Sequence, residues 1–232
     1  MSKYHYTCEI ILDMELSYAE ENYLKAIYHL SDGGNNSVNT NAIADVLNTK
    51  PASVSDMIRK LSAKEVVDYQ KYQGVNVSEQ GCQVALKVIR KHRLWEVFLV
   101  EKLGLNWDEV HDIAEQLEHI KSPLLIERLD AFLGFPKYDP HGDPIPDEKG
   151  ILADKKRILL SDLREDSSGT IAAVRDSTPI FLQYLDKIGA CIGTRLKVIE
   201  KIDFDGSMMI SLEKNNKISI SRQVAENLWI TT

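Results

Sequence analysis

Residues 40 to 77 constrain the fold more than any other part of the chain, because two short helical patterns there are followed by two β-prone runs. Residues 40 to 47 have apolar positions at helical spacing, and the polar break Asn48-Thr-Lys separates them from a second amphipathic run. That run extends from Pro51 to Glu65, and proline is favoured at the first position of a helix. Two β-prone stretches follow between Val66 and Val77, as expected for a two-stranded wing. The order predicts a winged helix-turn-helix.

The flanking segments extend this unit and add a helical domain. Ser17 and Glu20 have the spacing of a capping box and open a first helix that ends near Leu30. Residues 79 to 134 are strongly helical, with one long helix whose broad apolar surface suits packing on two sides. Two further helices are predicted, from about 106 to 120 and from 123 to 133. We therefore predict a DNA-binding domain at residues 16–78 and a helical dimerisation domain at residues 79–150.

The last third of the sequence has a different pattern. After about Ser161 it changes to short β-type runs around one short helix at residues 179–188, which is typical of a small β-barrel. The predicted strands are residues 169–174, 195–201, 208–212 and 217–220. We predict a β-barrel domain at residues 155–232 and a fold that is mainly α with small β parts. The proline-rich segment before it is predicted to be an ordered loop or a linker.

Charge and composition limit the classes of function. The formal net charge of −7 argues against indiscriminate coating of nucleic acid, because non-specific affinity comes mainly from basic side chains that neutralise phosphates. A sequence-specific DNA-binding protein needs only a local basic surface. No stretch approaches the roughly 18 uninterrupted apolar residues of a membrane helix, and three widely spaced cysteines suit a reducing compartment. The sequence predicts a cytoplasmic protein with no membrane partner.

The second helix of the helix-turn-helix carries basic and hydroxyl side chains that can hold phosphates and touch base edges. Any surface helix can carry such residues, but here the basic side chains cluster on helix and wing while the whole chain is acidic. The predicted partner is a double-stranded DNA operator. The predicted DNA contacts are Lys50, Pro51, Ala52, Ser53, Ser55, Arg59, Lys60, and Lys71 and Tyr72 at the wing tip.

A cluster of carboxylates and imidazoles lies in the helical domain. Glu115, Glu118 and His119 stand at i, i+3 and i+4, so a helix would bring them to one face, with His111 one turn earlier. Charged residues at such spacing often form only a solvated helix face. That interpretation and a ligand cluster are both open for these residues alone.

The distribution of histidines favours the ligand cluster. His92 and Glu96, on the preceding helix, repeat the i, i+4 spacing, and His141 lies close to Asp139 in the proline-rich loop. Carboxylate and imidazole donors without thiolate suit Mn²⁺ or Fe²⁺ better than structural zinc. The sequence therefore predicts that Mn²⁺ or Fe²⁺ binds between these helices.

An enzyme is the competing interpretation of such a cluster. The order Glu115-x-x-Glu118-His119 matches neither H-E-x-x-H nor H-x-x-E-H, and the sequence has no G-x-S-x-G elbow, P-loop or G-x-G-x-x-G fingerprint. We therefore expect a metal-sensing regulator rather than an enzyme. Two alternatives stay open: a winged-helix regulator that responds to a non-metal ligand or to a partner, and a bundle metalloenzyme with an accessory barrel.

From residue 16 to 232 the order of parts resembles the metal-dependent repressors typified by the diphtheria toxin repressor and the manganese transport regulator. This resemblance implies that the C-terminal domain is SH3-like. It also implies a homodimer that binds palindromic operators and represses metal-uptake genes when metal is bound. The segments that carry the resemblance are residues 21–28, 51–55, 90–94, 110–119 and 140–146.

The resemblance also implies a set of metal ligands. The primary site would use Glu115, Glu118 and His119 with Asn22 of the first helix, which stands where relatives have Asp or Met. A neighbouring site would use His92, Glu96, His111, Asp139 and His141, completed by Asp176 of the C-terminal domain. Iron-responsive members often carry Cys at the position of Glu115 and manganese-responsive members carry Glu, so the resemblance favours Mn²⁺.

Overall fold

The computed structural model describes residues 15–70, 74–153, 156–212 and 216–232. It divides into two compact units, and the boundary between them falls after Ala85, inside a long helix. Each unit is built around its own hydrophobic core, and the second unit contains two such cores.

The N-terminal unit begins with three helices. These are α1 (Tyr18–Leu30), α2 (Thr40–Val46) and α3 (Pro51–Ala63). The predicted capping box is present, because the Ser17 hydroxyl accepts from the Glu20 amide while the Glu20 carboxylate accepts from the Ser17 amide. Between α2 and α3, Asn48 has φ 46°, a left-handed conformation that asparagine adopts more readily than most residues. This local geometry produces the tight turn of the helix-turn-helix.

A short hairpin and a shared core complete this unit. Strands β1 (Val67–Gln70) and β2 (Gly74–Val77) pair in antiparallel register, as predicted for the wing. The apolar faces of α1, α2 and α3 meet around Leu24, Ile43 and Ile58, which are almost fully buried. Because this core holds α3 from behind, the opposite face of α3 is left exposed.

The second unit contains a helical part. It comprises the rest of α4 (Glu79–Leu103), then α5 (His111–Leu117) and α6 (Pro123–Phe132). The prediction of a helix from about 106 to 120 is wrong at both ends, since residues 107–109 form a turn before α5 begins at His111 and Glu118 already caps the helix. The segment before α5 is not helical, and within it Trp107 packs against the apolar core of the C-terminal part. A long-range contact therefore overrides the local pattern.

The C-terminal part is an antiparallel sheet with two helices. Its elements are β3 (Ile158–Leu159), a 3₁₀ turn (Leu160–Asp162), β4 (Ser168–Val174), α7 (Pro179–Ile188), β5 (Arg195–Lys201), β6 (Met208–Leu212), β7 (Asn216–Ile220), α8 (Arg222–Ala225) and β8 (Leu228–Thr231). The described strands follow the order β3-β8-β4-β5-β6-β7, and bulges in β4 and β5 bend the sheet around an apolar core. The predicted fold class is confirmed.

The proline-rich segment between α6 and the sheet is an ordered loop. Tyr138 and Pro144 form a β-bridge, and two arginines of α4 reach the loop backbone. Arg90 donates to the Pro146 carbonyl at 2.7 Å and pairs with the buried Asp130 at 2.6 Å, while Arg93 donates to the Pro144 carbonyl. This loop is therefore fixed against the helix that carries His92.

Within the part of the chain that the structure describes, no helix combines the length and apolar character needed to cross a membrane.

Candidate metal centre and nucleic-acid interface

His92 lies at the centre of a buried polar cluster in the second unit. Its Nδ1 is 2.7 Å from Glu118 Oε2, and its Nε2 is 3.0 Å from Glu96 Oε1. The Glu118 side chain is fully enclosed, and that of Glu96 is nearly so. His92 therefore bridges two buried carboxylates, one through each ring nitrogen.

The α5 segment contributes the next donors. His111 Nδ1 is 3.7 Å from Glu96 Oε1, and His111 Nε2 is 3.7 Å from Glu115 Oε1. Glu118 and His119 follow the end of α5 rather than lying on it, but Glu118 keeps helical backbone angles, so the predicted convergence with Glu115 survives. The Nε2 of His119 is 3.5 Å from Glu118 Oε1.

The proline-rich loop supplies two further donors. His141 Nδ1 lies 3.6 Å from Glu96 Oε2. Asp139 is buried, and its Oδ1 accepts from the backbone amides of His141 and Asp143, both at 2.9 Å. Its Oδ2 is 3.3 Å from Arg93 Nε. Asp139 therefore organises the loop as well as facing the cluster.

Seven of the predicted ligands come together in three overlapping groups of donor atoms. In each group, one donor atom per residue lies within 4.8 Å of the others. The groups are His92, Glu96 and His111; His92, Glu115 and Glu118; and Glu96, Asp139 and His141. His92 and Glu96 are shared, so the groups form one continuous centre.

The pKa values of the shared acid and its partners reflect this crowding. Burial alone would raise the pKa of Glu96, but hydrogen bonds from His111, His141 and His92 hold that pKa well below its ordinary value. Burial works against a charged His141, yet the Glu96 carboxylate raises the pKa of His141 to about 9. Burial and the charges of Glu96 and Asp143 raise the pKa of Asp139 to about 7. Protons in this centre are therefore held where a cation would compete with them.

Three predicted ligands, His119, Asn22 and Asp176, lie outside these groups. Asn22 belongs to the N-terminal unit, and its Oδ1 is buried without a hydrogen-bond partner. Asp176 precedes α7, and its Oδ1 accepts from the Thr178 amide at 2.9 Å. The three groups found among the described residues do not include Asp176.

The residues present fit a divalent cation that prefers oxygen and nitrogen ligands. The centre combines buried carboxylates with imidazoles and contains no thiolate, which matches the preference of Mn²⁺ and Fe²⁺. A structural zinc site of thiolates is excluded for this centre.

Three residues that shape the centre were not predicted as functional. Arg93 binds Asp139 and the loop backbone. The Trp107 carbonyl accepts from His141 Nε2, and the Trp107 indole donates to Asp186. Arg93 falls inside a segment that carries the family resemblance, which is the one sequence feature that could have pointed to it. Trp107 and Asp186 are separated by 78 intervening residues in the sequence, so only the fold brings them together.

The predicted DNA contacts that the structure describes share one element. Arg59 and Lys60 are exposed on α3, Ser55 donates to the Pro51 carbonyl at 3.0 Å, and Arg59 pairs with Asp56 at 2.7 Å. Lys50, Pro51, Ala52 and Ser53 are exposed at the start of α3. Lys71 and Tyr72 lie outside the described residues. The result is an exposed helix with basic and hydroxyl side chains above a buried apolar face.

Comparison with known proteins shows which family this chain belongs to. Family models match residues 15–75 as "iron dependent repressor, N-terminal DNA binding domain" and residues 78–147 as "iron dependent repressor, metal binding and dimerisation domain". Residues 158–232 match the FeoA domain. An uncharacterised HTH-type transcriptional regulator of Methanocaldococcus jannaschii is 36% identical over 118 residues, which are 51% of this chain and 94% of that protein. The chain belongs to the iron-dependent repressor family.

Other members of the iron-dependent repressor family match over different lengths. The iron-dependent repressor IdeR of Mycobacterium tuberculosis is 34% identical over 57% of this chain and 57% of its own length. A solved manganese-dependent transcriptional repressor in complex with manganese is 35% identical, with a TM-score of 0.83 over 92% of this chain and 99% of that one. The family consists of metal-dependent transcriptional repressors with a DNA-binding and a dimerisation domain, rather than enzymes.

Proposed function

We propose that this repressor binds Mn²⁺, or alternatively Fe²⁺, at the buried carboxylate and imidazole centre, and that the bound ion raises its affinity for a palindromic operator. The observation that carries the proposal is the group of donor atoms around His92 and Glu96, enclosed within the second unit. An exposed basic helix in the N-terminal unit supports the DNA-binding part.

Manganese is the proposed physiological ion. Glu115 supplies a carboxylate where iron-responsive relatives often carry cysteine, and the donors around it are oxygen and nitrogen. The similar manganese-bound repressor supports this choice, while the similarity to iron-dependent IdeR supports the alternative. The proposed cytoplasmic location follows from an operator on chromosomal DNA.

The proposed ligands fall into two sets. Glu115, Glu118 and His119 form the first, and the proposal of Asn22 as a further ligand rests on the family resemblance alone. His92, Glu96, His111, Asp139 and His141 form the second. The proposal of Asp176 as an additional ligand rests on the family resemblance alone; its Oδ1 accepts from the Thr178 amide.

The chemistry that a bound cation supplies here is positive charge. The protein holds Glu118 and Glu96 away from water, so these carboxylates, when ionised, need a nearby cation to offset the cost of burial. His92 lies between them, with Nδ1 2.7 Å from Glu118 Oε2 and Nε2 3.0 Å from Glu96 Oε1. Regulation then requires that the metal-bound and metal-free conformations differ in their affinity for DNA. We propose that the target genes are those of metal uptake, so that their transcription is repressed when the metal is abundant.

The test is operator binding measured with and without metal. A duplex selected from a random DNA library in the presence of Mn²⁺ serves as the probe, and fluorescence anisotropy follows binding of the full chain. We expect EDTA to weaken binding and added Mn²⁺ to restore it. Equal affinity in both conditions would contradict the metal switch and leave a winged-helix regulator that responds to something else.

A matched pair of histidine variants locates the switch. His119→Ala is expected to weaken Mn²⁺ binding and Mn²⁺-dependent DNA binding together, because removal of a ligand lowers affinity in both measurements. His29→Ala, at an exposed position near the end of α1, is the control and should keep both. Metal-dependent DNA binding that survives His119→Ala undiminished would show that the assigned ligands are wrong.

A further inference from the structure

His141 is held by a hydrogen bond that fixes which ring nitrogen faces the metal centre. Its Nε2 lies 2.8 Å from the backbone carbonyl of Trp107. A carbonyl oxygen only accepts, so Nε2 must carry the proton and donate it. The other nitrogen, Nδ1, is the atom that lies 3.6 Å from Glu96 Oε2. The ring therefore presents Nδ1 to the centre.

Trp107 is held in turn by the C-terminal domain. Its indole Nε1 donates to Asp186 of α7, at 3.1 Å from each carboxylate oxygen, and its ring packs against the C-terminal core. The indole and imidazole rings are nearly parallel, with their centroids 6.1 Å apart. A second contact beside it joins Gln183 Nε2 to Asp108 Oδ2 at 2.7 Å. The segment before α5 is thus attached to α7 at two neighbouring points.

Strand β4 holds the other side of the same loop. The Val174 amide donates to the His141 carbonyl at 3.0 Å. The next residue, Gly142, has φ +85°, and a Cβ atom there would lie 2.0 Å from the Ala172 carbonyl oxygen. The loop therefore fits against β4 only with glycine at this position. The C-terminal domain therefore holds His141 in two ways. Strand β4 binds its backbone carbonyl, and α7 holds Trp107, whose carbonyl binds the imidazole ring.

We propose that the C-terminal domain acts on the metal centre by positioning His141, with Asp186 and Trp107 holding the ring so that Nδ1 is the coordinating nitrogen. This inference rests on the proposed function of the centre. Asp186 and Trp107 are positioning residues, since neither is itself a ligand. The C-terminal domain then influences metal affinity through these contacts, whether or not Asp176 also binds the ion.

The size of the effect follows from the usual strength of such contacts. A group that orients a metal-binding histidine typically contributes about 10- to 100-fold in metal affinity when removed. The ring of His141 would otherwise be free to turn, and a neutral imidazole can bind a metal through either nitrogen. Loss of the Trp107 contact is therefore expected to weaken binding and to mix the two coordination modes.

The experiment uses full-length protein with ¹⁵N-labelled histidine, ¹¹³Cd²⁺ as an NMR-active probe ion and Mn²⁺ for affinity. In the wild type, we expect cadmium–nitrogen coupling at His141 Nδ1. Asp186→Leu and Trp107→Phe, which both remove the indole–carboxylate hydrogen bond, should lower Mn²⁺ affinity at this site about 10- to 100-fold. Both should also reduce the Nδ1 coupling.

Two control variants separate positioning from general damage. Asp186→Asn keeps an oxygen that accepts from the indole and should restore wild-type binding, and Asp203→Leu changes an exposed acid of the same domain. If Asp186→Leu disturbs the folding of the C-terminal domain, seen in its amide spectrum, Trp107→Phe decides the question. Unchanged Nδ1 coupling and Mn²⁺ affinity in Trp107→Phe would overturn the proposal. Absence of any cadmium at His141 in the wild type would instead contradict the proposed centre itself.

Discussion

At the scale of single residues, the centre is organised by histidines that offset buried negative charge. His92 bridges Glu96 and Glu118, and His141 approaches Glu96 from the loop. Because isolated buried carboxylates are costly, a positive charge beside Glu96 stabilises that carboxylate. The proposed metal binding at this centre would then exchange the proton of His141 for a cation.

This exchange predicts how metal affinity depends on pH. The pKa of His141 is raised to about 9, so at pH 7 the ring holds a proton that a metal ion must displace. We expect Mn²⁺ affinity to rise between pH 7 and 9, by about tenfold per pH unit for each displaced proton, and then to level off. Isothermal titration in buffers of different ionisation enthalpy measures the number of protons released.

A variant at His141 tests whether the proton released on Mn²⁺ binding comes from that ring. His141→Gln should release about one proton fewer than the wild type at pH 7, because the displaced proton belongs to that ring. His29→Ala is the matched control and should release the wild-type number. Identical proton release from His141→Gln and wild type would mean that His141 is not displaced by the ion.

Gly142 predicts a second effect at this scale. Replacement by alanine strains a left-handed backbone and drives a Cβ atom to 2.0 Å from the Ala172 carbonyl. Gly134 has a similar φ of +75° but open space around it, so Gly134→Ala measures the backbone strain alone, about 1–3 kcal/mol. We expect Gly142→Ala to lower the free energy of unfolding by more than Gly134→Ala in urea titrations. Equal losses would show that the loop can move away from β4.

At the scale of elements, the periodicity of the sequence predicted the bounds of those helices and strands that local interactions determine. The capping box of α1, Pro51 at the start of α3 and the strands β4 to β7 all lie within one or two residues of their predicted bounds. Their patterns are strong because each element buries one face. The short β8 strand was missed because four residues give too little pattern, and it forms only by pairing with β4 and β3.

The candidate centre was predictable in part for the same reason. Helical spacing brings His92 next to Glu96 and Glu115 next to Glu118, and the structure keeps both pairs in one cluster. The shortened α5 and the contact of Trp107 with Asp186 were not predictable, because they depend on packing between segments far apart in the sequence. Sequence patterns describe neighbours along an element, whereas the support of a metal centre comes from other elements.

Helix α3 predicts a measurable electrostatic effect at this scale. Lys60 is exposed on α3, and if it binds a phosphate, Lys60→Ala should weaken DNA binding uniformly across sequences. Each lost phosphate contact lowers the salt dependence by about 0.9, so a dimer should lose about 1.8 in the slope of log K against log salt. Lys217→Ala, on the exposed edge strand β7, is the charge-matched control. The same slope for both variants would remove Lys60 from the interface.

At the scale of the whole molecule, a chain of net charge −7 must concentrate its DNA affinity in a small basic surface. Two copies of α3 on one duplex double that surface without adding basic residues elsewhere, and a two-fold dimer matches a palindromic operator. The family's dimerisation domain covers residues 78–147 in this chain. Exposed apolar side chains occur in that domain, among them Leu103, Leu124, Phe132 and Phe135.

These side chains predict where the dimer forms. Phe132 is 65% exposed and Leu124 is 61% exposed, both on α6 within the family's dimerisation domain, where we expect a second subunit to cover them. In a two-fold interface, Phe132→Glu places the same charge on both subunits, and like charges brought together cost several kcal/mol. We expect sedimentation equilibrium to show a monomer and operator affinity to fall sharply. Phe204→Glu, at a 97% exposed position in the C-terminal domain, should remain dimeric and bind DNA as the wild type does. A dimer that tolerates Phe132→Glu would place the interface on another surface of the chain.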